Sequence, residues 1–192
     1  MEDFTADGAP SIAGLSTDLN LASTGTVHFN DFGDRAVFTW NEVGTVQNEL
    51  ALNSFQISLY PSGRILMGWN GILDGPGEDL IADLDEGIVV GVTAGDIPQP
   101  TNPSPTDLSF STVAGTTVFD RWCCDTVDSC GVGGTHGTLP GPVNTAFDLD
   151  DANVSFVPIP NGFSVVPEPS SPGLALASLV TLAVLVIRRS IA

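Results

Sequence analysis

The chain has 192 residues, which is enough for one domain with a sizeable core but too few for two well-packed domains. It contains 21 glycines, 14 prolines and no lysine, a composition that favours strands and loops over long helices. Residues 1–166 carry 22 of the 23 acidic residues and only three arginines, which gives this part a net charge of −19. Such a surface repels phosphate backbones and anionic lipid headgroups, so nucleic acid is excluded as a partner.

Residues 1–24 lead into the domain and open with an acidic stretch, MEDFTADGAP, that has no apolar targeting segment. Between residues 25 and 166, short stretches alternate apolar and polar side chains, and Gly, Pro and Asp clusters separate them. The predicted strands are 25–29, 34–40, 53–60, 65–69, 87–92, 116–122, 153–158 and 163–166. This pattern predicts an all-β domain over 25–166, an antiparallel β-sandwich-like fold.

The clearest predicted hairpin joins residues 53–60 to 65–69, because Pro61 suits a turn corner and Gly63 supplies a positive φ. The alternation predicts one buried face in each strand and places Val37 on the opposite, solvent-facing side. The side chains expected to be largely buried are Phe38, Trp40, Phe55, Ile57, Leu59, Ile65, Met67 and Trp69. His28 is expected to be an ordinary solvent-facing strand histidine.

The three cysteines of the chain, Cys123, Cys124 and Cys130, lie within eight positions, with His136 nearby. A local disulfide between Cys130 and either Cys123 or Cys124 is the favoured interpretation in an exported protein. The open alternatives are a zinc site of three thiolates and one imidazole, and an exported enzyme or thiol protein that uses this loop. No G-x-S-x-G, P-loop or H-E-x-x-H motif occurs, so no catalytic residue is assigned and no enzymatic activity is expected.

Acidic side chains concentrate in residues 74–87 and 148–151. Asp148, Asp150 and Asp151 are weak candidates for calcium ligands, because hard cations prefer closely spaced oxygen atoms. Neither stretch follows the twelve-residue calcium-loop pattern, so solvated acidic loops are the favoured interpretation. A calcium-binding surface protein stays an alternative, and no other cofactor is predicted.

The chain ends in three distinct segments: the linker 167–172 (PEPSSP), the uncharged stretch 173–187 and the basic tail 188–192. As a helix, the 15 residues of 173–187 would span about 22 Å, somewhat short of a hydrocarbon core of about 30 Å. Arg188 and Arg189 can snorkel to the interface, and positive residues prefer the cytoplasmic side. These features predict one C-terminal transmembrane helix with the body outside the cytoplasm.

The motif Val166-Pro167-Glu168-Pro169-Ser170, followed by the apolar stretch and Arg188-Arg189, resembles the PEP-CTERM sorting signal of Gram-negative bacteria. The resemblance implies that an exosortase, a membrane-embedded cysteine transpeptidase or protease, recognises Pro167, Glu168 and Pro169 and removes the tail. It also implies a route within the cell envelope, from a precursor anchored in the inner membrane to the cell surface or the extracellular matrix.

Residues 34–73, with the hairpin FQISLYPSGRI, and the later segment GIVVGVTAGD are similar to nidogen-like extracellular domains. This resemblance implies a structural or adhesive role without catalysis, with a matrix polysaccharide or a surface protein as the partner. In such domains a block of strands precedes the matching region. The resemblance therefore implies an N-terminally incomplete domain, with an unpaired sheet edge and a partly uncovered apolar face.

Overall fold

A computed structural model of the protein describes residues 10–46, 49–72, 88–95, 105–109, 112–122 and 147–168. Every regular element in these ranges is a β-strand, and all strand pairs are antiparallel, which confirms the predicted all-β class. The strands are β1 Ser11–Ser16, β2 Leu19–Asn20, β3 Thr26–Asp31, β4 Ala36–Thr45, β5 Asn53–Leu59, β6 Ile65–Trp69, β7 Ile88–Thr93, β8 Ala114–Gly115, β9 Thr117–Trp122, β10 Asn153–Ile159 and β11 Gly162–Glu168. The predicted linker from Pro169 onward and the predicted transmembrane helix lie outside the described residues.

The strands form two sheets with a common hydrophobic core. The small sheet has the order β1-β7-β9, and the large sheet has the order β2-β4-β5-β6-β10-β11-β8, with β3 also paired to β4. The core takes Leu15, Val90 and Trp122 from the small sheet and Met67 and Phe156 from the large one. Because both sheets contribute one apolar face to this core, the arrangement is that of a β-sandwich.

The predicted hairpin is formed by β5 and β6. Gly63 has a φ of 83°, its N–H donates to the Tyr60 carbonyl at 2.9 Å, and the Tyr60 N–H donates to the Arg64 carbonyl at 3.0 Å. A side chain at position 63 would strain the backbone there, since only glycine adopts such a φ without steric cost. The turn that Pro61 and Gly63 predicted is therefore present.

The predicted buried face is correct for five of its eight side chains. Phe55, Ile57, Ile65, Met67 and Trp69 are buried, whereas Phe38, Trp40 and Leu59 are only half-buried. The small sheet reaches only part of the large one: its edge strand β1 approaches β5, where a Cβ on Gly14 would lie 2.8 Å from Ile57 Cδ1. Strand β4 lies beyond β5 and is less well covered, so prediction from alternation alone overestimated its burial.

Val37 is buried, with 4% of its surface exposed, although the alternation had placed it on the solvent-facing side. It belongs to a row of cross-strand partners on the outer face of the large sheet that continues through Ser58, Leu66 and Ser155. At the far end of this row, Arg64 donates from Nε to Ser155 Oγ at 2.6 Å. Ser58 and Ser155 are buried as well, so part of the outer face is closed to solvent.

Strand β3 lies at an edge of the large sheet, and within the described residues it pairs only with β4. All six of its residues are exposed, including His28, as expected, but also Val27 and Phe29. Phe29 keeps 59% of its surface exposed and contacts the half-buried Phe38, with ring centroids 5.0 Å apart. The apolar side of this strand is therefore accessible in the described structure.

Strand β1 lies within residues 1–24, which the sequence had assigned to a segment leading into the domain. Its sequence, SIAGLS, consists largely of small residues with modest strand propensity. Ala13 and Leu15 are nevertheless buried, and β1 pairs with β7 through a register that shifts between Ala13 and Ser16. Packing against the other sheet, and not local preference, accounts for this strand.

At the C-terminal end of the domain, β11 continues to Glu168, two residues beyond the predicted domain boundary.

The two sheets are joined by a buried hydrogen bond in which Trp69 Nε1 of β6 donates to the Gly14 carbonyl of β1 at 2.7 Å. Replacing Trp69 by Phe keeps an aromatic ring but leaves this carbonyl without its donor. We expect Trp69→Phe to lower the free energy of unfolding by about 1–3 kcal/mol. The measurement is urea unfolding of the full chain in mild detergent, followed by far-UV circular dichroism.

Trp40→Phe is the matched control, because the Trp40 ring stacks on Phe55 with centroids 4.6 Å apart and makes no side-chain hydrogen bond within the described residues. We expect a loss of about 1 kcal/mol or less for this half-buried side chain. Equal losses in the two variants would show that the bond between the sheets contributes nothing.

Candidate functional site

A groove of about 430 Å³ lies on the outer face of the large sheet, across β4, β5, β6 and β10. Its centre is the row of cross-strand partners Thr39, Gln56, Gly68 and Asn153. The volume falls within the usual range of about 300–1,000 Å³ for small-molecule sites. The groove is thus large enough to hold a ligand and is built on rigid strands.

Apart from the carboxylate of Asp151, the polar side chains of the groove are mainly amides and hydroxyls. The amides belong to Asn41, Gln56, Asn70 and Asn153, and the hydroxyls to Thr39, Ser54 and Ser58. Gln56 Nε2 donates to Thr39 Oγ1 at 2.8 Å, which fixes the orientation of the Gln56 amide. In the part of the chain that the structure describes, the side-chain amides of Asn41, Asn70 and Asn153 make no hydrogen bond, so their donors and acceptors can serve a ligand.

Gly68 forms the floor of the groove at the centre of this row. A Cβ built at this position would collide with Asn153 Oδ1. The absence of a side chain at Gly68 therefore allows the Asn153 amide to lie over β6. Any larger residue at position 68 would displace this amide and reshape the groove.

The two non-glycine residues with positive φ among the described ranges lie at or beside this groove. Glu42 has a φ of 54° and falls within the register shift of β4 between Trp40 and Val43, next to the groove residue Asn41. Asp151 has a φ of 58° and lines the groove just before β10 begins. Such conformations cost on the order of 1–3 kcal/mol each and are concentrated at functional sites in proteins, as are β-bulges.

The electrostatics of the groove differ from those of the rest of the chain. Of its 13 lining residues, one, Asp151, is ionisable. Residues 1–166 as a whole carry a net charge of −19. The groove is therefore a nearly neutral region on an acidic protein.

The sequence-predicted sorting motif begins inside the folded domain. Pro167 pairs with Val154, and Glu168 pairs with Asn153, at the end of β11. Strand β8 pairs with β11 at Phe163 and Ser164, and the Val165 N–H donates to the Val113 carbonyl at 2.7 Å. No described strand pairs with this edge at Pro167, where the missing N–H leaves no ladder bond unmade. Pro169, Arg188 and Arg189 lie outside the described residues.

Arg64 holds the end of β11 in place. Its Nη2 donates to Glu168 Oε1 at 2.9 Å, and its guanidinium lies 5.2 Å from the centre of the Tyr60 ring. The same side chain donates to Ser155 Oγ, so it connects the β5–β6 turn with β10 and β11. Both side chains of the ion pair are 36% exposed, which limits the strength of the pair.

The three aspartates proposed as weak calcium ligands point to different partners. Asp148 accepts hydrogen bonds from Trp122 Nε1 at 3.2 Å and from Ser109 Oγ at 3.0 Å. Asp150 Oδ1 accepts from the backbone N–H groups of Gly71 and Ile72, and Asp151 lies at the groove. No group of three or more His, Cys, Asp or Glu side chains that could hold a metal ion occurs among the described residues.

Only some of the remaining residues predicted from the sequence are among the described residues. His28 is exposed, and its Nε2 shares a hydrogen bond of 2.8 Å with Thr26 Oγ1, which fits the expectation of an ordinary surface histidine. Cys123, Cys124, Cys130, His136 and the acidic stretch 74–87 lie outside the described residues. Within the described ranges no helix has the length and apolar character needed to cross a bilayer, and residues 173–187 are not among them.

Sequence reasoning did not find the groove. One sequence feature could have pointed to it: the outward-facing positions Thr39, Gln56 and Asn153 are uncharged in a strongly acidic chain. The alignment of these positions across four strands depends on register, however, and register is a property of the tertiary structure.

Comparisons with known proteins found no counterpart for this chain. No family model matches it, and neither a curated protein nor a solved structure is significantly similar to it.

The hydrogen bonds of Asp150 predict a structural role for its carboxylate. Asp150→Ala removes the acceptor of the Gly71 and Ile72 N–H groups, which lie 2.9 and 3.2 Å from Asp150 Oδ1, and we expect a loss of about 1 kcal/mol in the free energy of unfolding. Asp150→Asn is the matched control, since it keeps an oxygen acceptor and should retain most of the stability. The measurement is urea unfolding with calcium and with a chelator. A stability that depends on calcium, and is lost equally in both variants, would instead assign Asp150 to a metal site.

Proposed function

We propose that this protein is an exported binding protein that an exosortase processes and that acts at the cell surface or in the extracellular matrix. The observation that carries the proposal is the order of three C-terminal features: Pro167-Glu168-Pro169, the uncharged residues 173–187 and Arg188-Arg189. The first directs recognition, the second inserts into the inner membrane, and the third holds the end of the chain in the cytoplasm. The body then lies outside the cytoplasm until the tail is removed.

The architecture of the body supports a structural or adhesive role. Antiparallel sandwiches present flat, rigid sheet faces, and here the outer face of the large sheet carries a polar groove. The chain also resembles nidogen-like domains in its β5–β6 hairpin. In the proposed role the fold displays a binding surface, and the C-terminal signal determines where that surface is displayed.

A reporter fusion tests the proposed topology. A phosphatase that is active only outside the cytoplasm, fused after Ala192 in the host's own gene, should be inactive, whereas the same reporter inserted after Ser171, beyond the end of β11, should be active. The physical reason is that Arg188 and Arg189 favour the cytoplasmic side of the inner membrane. Activity of the fusion at residue 192 would contradict the proposal.

The ion pair between Arg64 and Glu168 predicts how fast the tail is processed. An exosortase must extract Glu168 from the end of β11, and Arg64 opposes this step through its 2.9 Å contact. We expect Arg64→Met to accelerate tail removal roughly two- to fivefold, since a pair of this exposure stabilises by about 0.5–1 kcal/mol. Pulse-chase labelling in a strain with active exosortase measures the rate.

Arg35→Met is the matched control, because Arg35 pairs with its chain neighbour Asp34 and not with the tail. This variant should be processed at the normal rate, and Glu168→Ala should block processing because it alters the recognised motif. Identical rates for Arg64→Met and the unmodified chain would show that β11 does not restrain the motif.

A further inference from the structure

We propose that the groove on the outer face of the large sheet binds an uncharged polysaccharide. This inference rests on the proposed function, because it names the ligand class of the surface that the exported domain would display. Four properties of the groove support it: the chemistry of its polar groups, its charge, its position on the sheet and its preorganisation.

The polar groups of the groove match vicinal hydroxyl groups. Each amide of Asn41, Asn70 and Asn153 offers two N–H donors and one carbonyl acceptor. A sugar ring presents adjacent hydroxyls that both donate and accept, so one amide can bind two of them at once. The hydroxyls of Thr39 and Ser54 add single donors and acceptors along the same groove.

The charge of the groove selects against anionic ligands. Among the described residues, the lining contains no Lys, Arg or His to pair with a sulfate or a uronate, and its one carboxylate, Asp151, repels them. The net charge of −19 on residues 1–166 repels anionic polymers at longer range. For a neutral sugar, by contrast, Asp151 is a strong acceptor of hydroxyl hydrogen bonds.

The position of the groove selects against a peptide. Peptides that bind sheets commonly add as an extra strand at a free edge. The groove lies on the face of β4, β5, β6 and β10, where both edges of β5, β6 and β10 are already paired with neighbouring strands. The half-buried Leu66 offers a small apolar surface for the C–H face of a sugar ring.

The groove is organised before a ligand binds. The hydrogen bond from Gln56 to Thr39 orients one amide, and Gly68 leaves the space that the Asn153 amide occupies. The positive φ values of Glu42 and Asp151 set the course of the backbone beside and within the groove. Such preorganisation reduces the entropy lost on binding, which favours a weakly interacting ligand such as a neutral sugar.

The test is binding of the full chain, in mild detergent, to immobilised polysaccharides. The neutral probes are dextran, soluble starch and a galactomannan, and the acidic probes are alginate and hyaluronate. We expect binding to at least one neutral probe and none to the acidic probes. Gln56→Ala and Asn153→Ala should each weaken this binding tenfold or more.

Asn30→Ala is the matched control, since Asn30 is an exposed amide on β3 outside the groove, and it should bind like the unmodified chain. If Asn153→Ala does not fold, Gln56→Glu serves in its place, because it changes an exposed groove amide into a carboxylate with little change in shape. This variant should also bind at least severalfold more weakly.

Three results would overturn the inference: no binding to any neutral probe, binding that the groove variants leave unchanged, or a preference for an acidic polymer or a peptide. Tail processing and surface display are measured independently by the pulse-chase and reporter experiments. If these succeed while sugar binding fails, the proposed function stands and the ligand class is wrong. If the pulse-chase and reporter experiments fail while sugar binding succeeds, the groove is a sugar-binding site and the proposed sorting route is wrong.

Discussion

The structure depends on one close approach between its two sheets. Because Gly14 of β1 has no side chain, the small sheet packs closely against Ile57 and Phe55 of the large sheet. At the same place, Trp69 donates its indole N–H to the Gly14 carbonyl. A residue with a Cβ at position 14 would push the sheets apart or displace Ile57. Because the indole also satisfies a buried carbonyl, the contact contributes both packing and a hydrogen bond at the same point. The core between the sheets forms around it.

Packing of the core on one side of the large sheet leaves the other side available for recognition. The inner face buries Met67, Phe156 and their neighbours, so the outer face of the same strands need not contribute apolar side chains there. Part of this outer face is closed by Arg64 over Ser155, and part remains open as the amide-lined groove. Most of the residues that line the groove belong to β4, β5, β6 and β10, so the strand pairings that support the core also fix the backbone of the groove.

The end of the domain and the start of the predicted sorting motif overlap. Glu168 belongs both to β11 and to the sequence that resembles an exosortase recognition motif, and Arg64 binds it from the β5–β6 turn. In the proposed function, a processing enzyme would therefore act on a segment that the domain partly retains. This arrangement would couple the stability of the last strand to the release of the protein from the membrane.

The sequence alone determined the all-β class, the eight longer strands between residues 25 and 166, and the β5–β6 turn, because alternation and turn residues are local properties. It also carried the C-terminal features from which the proposed route was inferred. Only the tertiary structure decided that SIAGLS forms β1, that Val37 is buried, and that Phe38 and Trp40 are half-buried. The formation of β1 and the half-burial of Phe38 and Trp40 depend on where the small sheet lies over the large one. The burial of Val37 depends on packing over the outer face, and no local pattern records either. The groove likewise depends on the tertiary structure. Its central residues Thr39, Gln56, Gly68 and Asn153 are distant in sequence, and only strand register brings them into one row.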